Sequence, residues 1–508
     1  MLDSKRIAKN TIFLYFRMIL VMAVALYTSR VVLGILGASD YGLYNVVGGV
    51  VTMFAFVNGV LSSGTSRFIT YELGMGDDEK LRDIFNVALV SHIGLAFIVF
   101  ILAESAGVWF INTQLVFPPE RTLAVNVVYQ LSVLTLMLQF TQLPYTATII
   151  AHEKMNVYAY VGLLDVGLKL LMILLLNLNR SLDNLILYAI LIFCVQVITL
   201  VIYRIYCLRH YQESHWRLSK DKQKYKDIFS YAGWDVIGSL CVITQGQGVN
   251  ILLNIYFGPV VNAARAICYQ VEGAFNQLTG NFMTALTPQI VKSYAKNEID
   301  DMLELIKDGS KYGFFLLAVF LIPVMYKIDY VLNLWLIDVP AQTALFVLII
   351  LTNTMIRVIA RPVISGVHAT GRIKRLDIYA GGIGLMPLPL IWVLFEKGFA
   401  AHYAFWVILL WGVFANIAEI IIFKVELPEF QVIDYCISVY GRCFIVAAGV
   451  LFIDNILLDF FANQFLSVCL YFALTFALNA SIVFMLGFNR RQRGKILNVL
   501  YGRLKQLL

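Results

Sequence analysis

The chain has little charge, few cysteines and no catalytic signature, and each shortage removes a class of function. Asp, Glu, Lys and Arg make up 14% of its 508 residues, against about 25% in a soluble domain. A soluble globular fold is therefore excluded. The seven cysteines (Cys194, Cys207, Cys241, Cys268, Cys436, Cys443 and Cys469) are scattered without CxxC spacing. They read as small apolar packing residues. Six histidines form no HExxH or comparable cluster, so no metal site is expected. No Walker A sequence occurs, so ATP consumption by this chain is not expected. The loops assigned to the outer side are all short. A membrane polysaccharide polymerase, which would place catalytic residues on a sizeable outer loop, is thereby disfavoured.

What fills the chain instead is apolar: 60% of residues are hydrophobic, and about 20 apolar residues span a bilayer. That rule predicts fourteen spans, over 10–36, 41–66, 84–110, 122–150, 155–176, 184–206, 228–256, 262–287, 312–336, 342–367, 376–396, 401–424, 433–454 and 463–487. The N-terminal run follows Lys5, Arg6 and Lys9 without a small-residue cleavage site, so it reads as a retained span. Loop cations then sort by side. All but Arg121, Arg180 and Lys397 fall on the side of both termini, which the positive-inside bias makes cytoplasmic. Near the C-terminus Ile496, Leu497, Leu500, Leu504 and Leu507 recur at helical spacing among basic residues. This pattern predicts an amphipathic helix on the anionic inner leaflet.

Shifting the sequence by 221 residues lays "GILGASDYGLYNVVGGVVTMFAFVNGV" (34–60) over "NIYFGPVVNAARAICYQVEGAFNQLTG" (254–280) without gaps. Gly37 meets Gly258, Val50 meets Val271, Phe54 meets Phe275 and Gly59 meets Gly280. Farther on, "GMGDDEKLRDIF" falls opposite "AKNEIDDMLELI", two acidic amphipathic stretches expected as surface helices between spans. The matched order predicts two parallel repeats.

The opening "LYTSRVVLGILGASDYGLYNVVGGVVTMF", the second-half "ILLNIYFGPVVNAARAI" and the overall length resemble the multidrug/oligosaccharidyl-lipid/polysaccharide (MOP) exporter superfamily. Within it they resemble the Wzx-like O-antigen and polysaccharide flippases. The resemblance implies an all-α polytopic membrane protein, with two pseudo-repeated six-helix lobes around a central cleft plus two C-terminal helices. The expected parts are an N-terminal lobe over 1–207, a basic cytoplasmic linker over 208–226, a C-terminal lobe over 227–425, an extra helix pair over 426–488 and a basic amphipathic tail over 489–508. It further implies a transporter, not an enzyme, in the bacterial inner membrane. Its task would be to move undecaprenyl-diphosphate-linked oligosaccharide to the outer leaflet by alternating access, for surface polysaccharide such as O-antigen of lipopolysaccharide. An H⁺ or Na⁺ gradient is expected to drive it, with no cofactor. Lipid-linked oligosaccharide, membrane lipids, a polysaccharide polymerase and other assembly proteins are the expected partners, and nucleic acid is not. A lipid II flippase and a multidrug or organic-cation exporter remain alternatives.

Eight cations lie inside the predicted spans: Arg17, Arg30, Arg67, Lys169, Arg265, Lys327, Arg357 and Arg361. Each costs roughly 2.5–3.5 kcal/mol at bilayer depth. About six carboxylates accompany them: Glu104, Asp165, Asp235, Glu272, Asp329 and Glu419. The excess favours an anionic substrate over a cationic drug. A lipid diphosphate calls for arginines in a wet cavity, and the candidates are Arg30, Arg265, Arg357 and Arg361. Arg357 and Arg361 are four apart and share a helix face, where an anion would relieve their repulsion. Pro362 adjoins them as an expected bend. Arg265, Tyr269, Glu272 and Asn276 draw one polar stripe down a helix. The structural alternative for these groups is inter-helix ion pairing or snorkelling. Asp165, Lys169, Asp235 and Glu272 are candidates for coupling or gating, although Asp165 and Lys169 would equally neutralise each other. "TQGQGVN" (244–250) predicts a loosened helix whose Gln245, Gln247 and Asn250 line a cavity. "GGIGLMPLP" (381–389) predicts a broken one. Arg17 and Arg67 read as either cleft-facing or anchored near a membrane face.

Overall fold

The computed structural model describes residues 4–54, 65, 68–69, 72–73, 77–152, 154–179, 181–217, 241, 243–370, 372, 375–461, 464–489 and 492–494. Within these, side chains are described from Ala23 onward, except at 155–156, 158–159, 281, 284–285, 288, 292, 295, 377 and 380–381. Arg67, Asp235 and the C-terminal apolar repeat lie outside the described residues, as does the side chain of Arg17.

Every described element is helical. The long ones are α1 (Ser4–Met53), α2 (Asp78–Leu102, extended by a π-turn to Gln114), α3 (Thr122–Ala151), α4 (Met155–Leu178), α5 (Asn184–His210), α6 (243–257), α7 (Pro259–Ala295) and α8 (Ile299–Tyr326). The short α9 (Ile328–Trp335) precedes α10 (Thr343–Thr370), α11 (Pro387–Glu396), α12 (Tyr403–Glu426), α13 (Arg442–Leu458) and α14 (Phe465–Ile482). Among the described residues, ten helices are long and apolar enough to cross a membrane. The chain is an all-α polytopic membrane protein.

Packing divides it into two units. Unit 1 comprises Met1–Ala266, Trp335–Gln342 and Leu388–Ala401, and unit 2 comprises Ile267–Leu334, Thr343–Pro387 and His402–Leu508. In unit 1, α2, α3 and α5 enclose a core around Phe85, Tyr145, Ile149 and Cys207. Arg121 clasps both Asp40 and Asp183 by ion pairs, tying the starts of α3 and α5 to α1. In unit 2, α10 packs on α8 and α12. The buried Tyr435 hydroxyl bonds Ser310 Oγ at 2.9 Å and donates to the Ile359 carbonyl at 3.1 Å.

The internal echo has a backbone counterpart. Gly37 (φ 73°) and Gly258 (φ 78°), paired by the 221-residue shift, both take the left-handed conformation open to glycine. The first interrupts α1, and the second separates α6 from α7.

Two expectations are corrected. Over the described residues, 77–85 and 295–306, the acidic stretches are not separate surface helices: Asp78 and Ile299 already begin α2 and α8, which run on into apolar sequence. Acidic first turns suit the positive end of a helix dipole. Asp77 also caps α2 by accepting the Lys80 amide at 3.0 Å, and nothing breaks either helix before the apolar part. The "TQGQGVN" segment is likewise regular over 243–250 and not loosened. Gly248 permits close approach instead, since a Cβ there would stand 2.7 Å from the Leu388 side chain. The break at 381–389 is present, with one helical segment ending at Leu385 and another starting at Pro387. Pro362 stays inside a continuous α10.

Between apolar helices in lipid there is little hydrophobic drive, and small residues that admit close contact matter more. Gly42 is the sharpest case, since a Cβ there would fall 1.8 Å from the Pro259 carbonyl oxygen. Gly42→Ala is expected to cost at least the 1–3 kcal/mol typical of overpacking, read as a lower thermal midpoint in detergent. Gly48→Ala, with nothing within 4 Å of its Cβ, is expected to leave that midpoint in place.

Candidate functional site

Part of the candidate set gathers into polar networks in each of the two units. In unit 1, Arg265 opens the polar stripe on α7. It is buried, and its Nη2 donates to the Gly246 carbonyl on α6 at 2.7 Å. A glycine leaves that carbonyl open to a long side chain from the next helix. Asn262 lies one turn earlier, and its Nδ2 donates to the backbone oxygen (2.7 Å) and side-chain oxygen (2.8 Å) of Asn250. Asn250 donates in turn to Gln247 Oε1 at 3.3 Å. Both amides press on α1, where a Cβ on Gly49 would meet Gln247 Oε1 at 2.4 Å and Asn250 Nδ2 at 2.6 Å. Asn250 is thus buried in an inter-helix amide network, while Gln245 is half-buried. Arg30 is exposed on α1.

Asp165 and Lys169 on α4 form an i,i+4 ion pair at 2.7 Å with both side chains partly exposed. Such a pair contributes about 0.3–0.5 kcal/mol. Asp165→Asn is therefore expected to leave the thermal midpoint essentially unchanged, and any loss of ion-driven transport in that variant would report a coupling role.

Unit 2 gathers the rest of the stripe. Glu272 Oε1 accepts from Asn276 Nδ2 (3.2 Å) and from Thr354 Oγ1 on α10 (3.1 Å). Asn276 Oδ1 accepts from Arg361 Nη2 at 2.6 Å, and Thr279 Oγ1 accepts from Arg361 Nη1 at 2.9 Å. Tyr269 is half-buried on the same helix.

Arg357 turns the other way. Its Nη1 and Nη2 grip Glu419 Oε2 and Oε1 on α12 at 3.0 and 2.8 Å, and Nη1 also donates to Asn416 Oδ1 at 2.6 Å. Asn416 closes the loop by donating to the Ile356 carbonyl at 2.7 Å. The two arginines share a helix but diverge to different neighbours, α12 for Arg357 and α7 for Arg361. The two still act on each other electrostatically, with Glu419 offsetting Arg357 and Glu272 acting on Arg361.

The electrostatic consequence is uneven. Arg357 is matched by a bidentate carboxylate, the strongest arrangement available to it. Arg361 is held by two neutral oxygens, and the charge of Glu272 acts on it across Asn276 without a direct contact. Nothing in the sequence singles out Asn416, Thr279 or Thr354 as partners. Neutral polar side chains are common in apolar helices, and these lie 59–82 positions from the residues they bind.

No protein-family model matches the sequence, and no curated protein matches it significantly. Solved structures do. The lipid II flippase MurJ in an inward closed conformation superposes with a TM-score of 0.70 at 12% identity, covering 93% of this chain and 99% of its own. The chain has the fold of the MOP-superfamily transporters. An inward-facing multidrug-resistance MATE transporter matches at a TM-score of 0.64 and 12% identity, covering 80% of this chain and 96% of its own. A MOP transporter from Pyrococcus furiosus Vc1, described as having a binding pocket of reverse polarity, matches at 0.51 and 12%, covering 82% and 96%. At such identities the likeness to MOP transporters concerns fold alone.

Proposed function

We propose that this chain is a flippase that moves undecaprenyl-diphosphate-linked oligosaccharide from the inner to the outer leaflet of the bacterial inner membrane, for surface polysaccharide synthesis. The observation that carries this reading is Arg361. A guanidinium among apolar helices, held directly by neutral oxygens and with Glu272 acting on it only from a distance, keeps its fork free of a bidentate carboxylate and open to an anion. A diphosphate is the anion a lipid-linked sugar presents, and the fork of an arginine suits it. Arg265 and Arg30 are the further candidates for the diphosphate. Arg357, already saturated by Glu419, holds α10 to α12.

The MOP fold supports a carrier that works by alternating access, driven by an H⁺ or Na⁺ gradient, with both termini in the cytoplasm. A second reading is favoured by one finding: the likeness to the lipid II flippase takes in 93% of this chain, against 80% for the MATE transporter. Lipid II is also a diphosphate lipid.

Deleting the gene tests these readings against each other. Loss of surface glycan with lipid-linked repeat units retained in the inner leaflet is expected. Arrested cell-wall synthesis would favour lipid II. Unchanged glycan with raised drug sensitivity would remove both.

A further inference from the structure

The C-terminal helix pair contains a polar site that the transport networks above do not use. Asp454 on α13 has no exposed surface. Both its oxygens accept from one donor, Asn479 Nδ2 on α14, at 3.2 Å each. No Lys, Arg or His among the described residues lies within ion-pair distance of it. Asn479 is itself fully buried, and its Oδ1 has no hydrogen-bond partner among the described residues. The buried hydroxyl of Tyr471, on the same helix, also has none among the described residues.

The polar groups packed around it are directed elsewhere. α8 packs against both α13 and α14 and brings Tyr326, whose hydroxyl donates to the Leu451 carbonyl at 3.2 Å. Lys327, at the end of α8, donates to the Phe461 carbonyl at 3.1 Å and lies 5.6 Å from the Tyr471 ring centre. Thr475 returns its hydroxyl to the Tyr471 carbonyl at 2.8 Å. Beyond the end of α13, Asp459 is exposed.

An ionised carboxylate in such a place, with two long neutral hydrogen bonds, is costly. A proton removes the charge. It also supplies the donor that Asn479 Oδ1 lacks, because a carboxylic acid and an amide can each donate to the other edge to edge. A bound metal ion fits less well, since Na⁺ would need several converging oxygens and the described partners are few.

We propose that Asp454 and Asn479 form a proton-binding site in the C-terminal helix pair, with the proton shared as an acid–amide pair. The proton ties α13 to α14, and its loss leaves a buried charge that loosens this pair. A role in coupling transport to a pH gradient rests on the transporter reading above; occupancy by a proton does not.

Infrared spectra of the full-length protein at mildly acidic pH, with aspartate isotopically labelled, test occupancy without any substrate. A protonated-carboxyl band that resists exchange into heavy water is expected in the wild type and absent from Asp454→Asn. That amide variant should keep the wild-type thermal midpoint, since it mimics the neutral acid. Should it fail to fold, Asn479→Leu is expected to shift the same band. No such band in the wild type would overturn the proposal. So would Na⁺ raising the thermal midpoint of wild type but not of Asp454→Asn, which would identify a metal-ion site. In proteoliposomes, transport by Asp454→Asn is expected to lose its response to a pH gradient, and a wild-type response would overturn the coupling role alone.

Discussion

Arg361→Ala is expected to cut transport of a lipid-linked diphosphate sugar by roughly ten- to a hundredfold at equal amounts of folded protein. The size follows from one charge-assisted contact, worth about 1.5–3 kcal/mol, where about 1.4 kcal/mol is a factor of ten. The fold should tolerate the change. Asn276 Oδ1 and Thr279 Oγ1 lose a donor, but both are neutral, and Glu272 loses a distant cation while keeping its bonds from Asn276 and Thr354. Arg361→Lys is expected to fall between, because an ammonium restores charge without the planar fork. Initial flipping rates in liposomes, normalised to protein that elutes as a single species, provide the comparison. Full activity in Arg361→Ala would remove this residue from the substrate site.

Glu419→Ala should instead act on stability. Glu419 is buried and takes both arms of Arg357, so its removal leaves a half-buried guanidinium with Asn416 but no carboxylate. Breaking one side of a buried pair costs about 3–5 kcal/mol, whereas replacing both members by apolar residues is often neutral. The expected result is a large fall in thermal midpoint for Glu419→Ala and recovery of most of it in Arg357→Leu combined with Glu419→Leu. If that double variant also transports, Arg357 is a structural residue, as its geometry indicates. Normal stability but no transport in the double variant would return Arg357 to the substrate site.

These two arginines show what the sequence can and cannot convey. Their spacing places them on one helix, and α10 carries both. It says nothing of which neighbour each meets, because Glu419 and Asn276 are set by packing between distant segments. One helix alone therefore suggests an anion between the pair, and only its neighbours separate them. The backbone is easier to read. Glycine is needed where φ is positive, so the pairing of Gly37 with Gly258 marks equivalent turns in the sequence itself. The break at 381–389 is legible for a similar reason, since Gly and Pro act locally.

The acidic stretches mislead because an amphipathic, charged segment looks the same whether it lies on a surface or starts a long helix. Asp454 does not stand out in the sequence because it sits at the end of a predicted span, where a carboxylate usually reaches water. Only the packing of α14 and α8 around it removes that exit.

Whether the chain moves a diphosphate lipid is the decisive question. The most direct measurement reconstitutes the purified protein in liposomes carrying a fluorescent undecaprenyl-diphosphate-linked oligosaccharide and follows the label's access to a membrane-impermeant quencher. Rapid redistribution between leaflets is predicted with wild-type protein, and little with Arg361→Ala. Redistribution no faster than in protein-free liposomes, alongside transport of an organic cation by the same preparation, would contradict it.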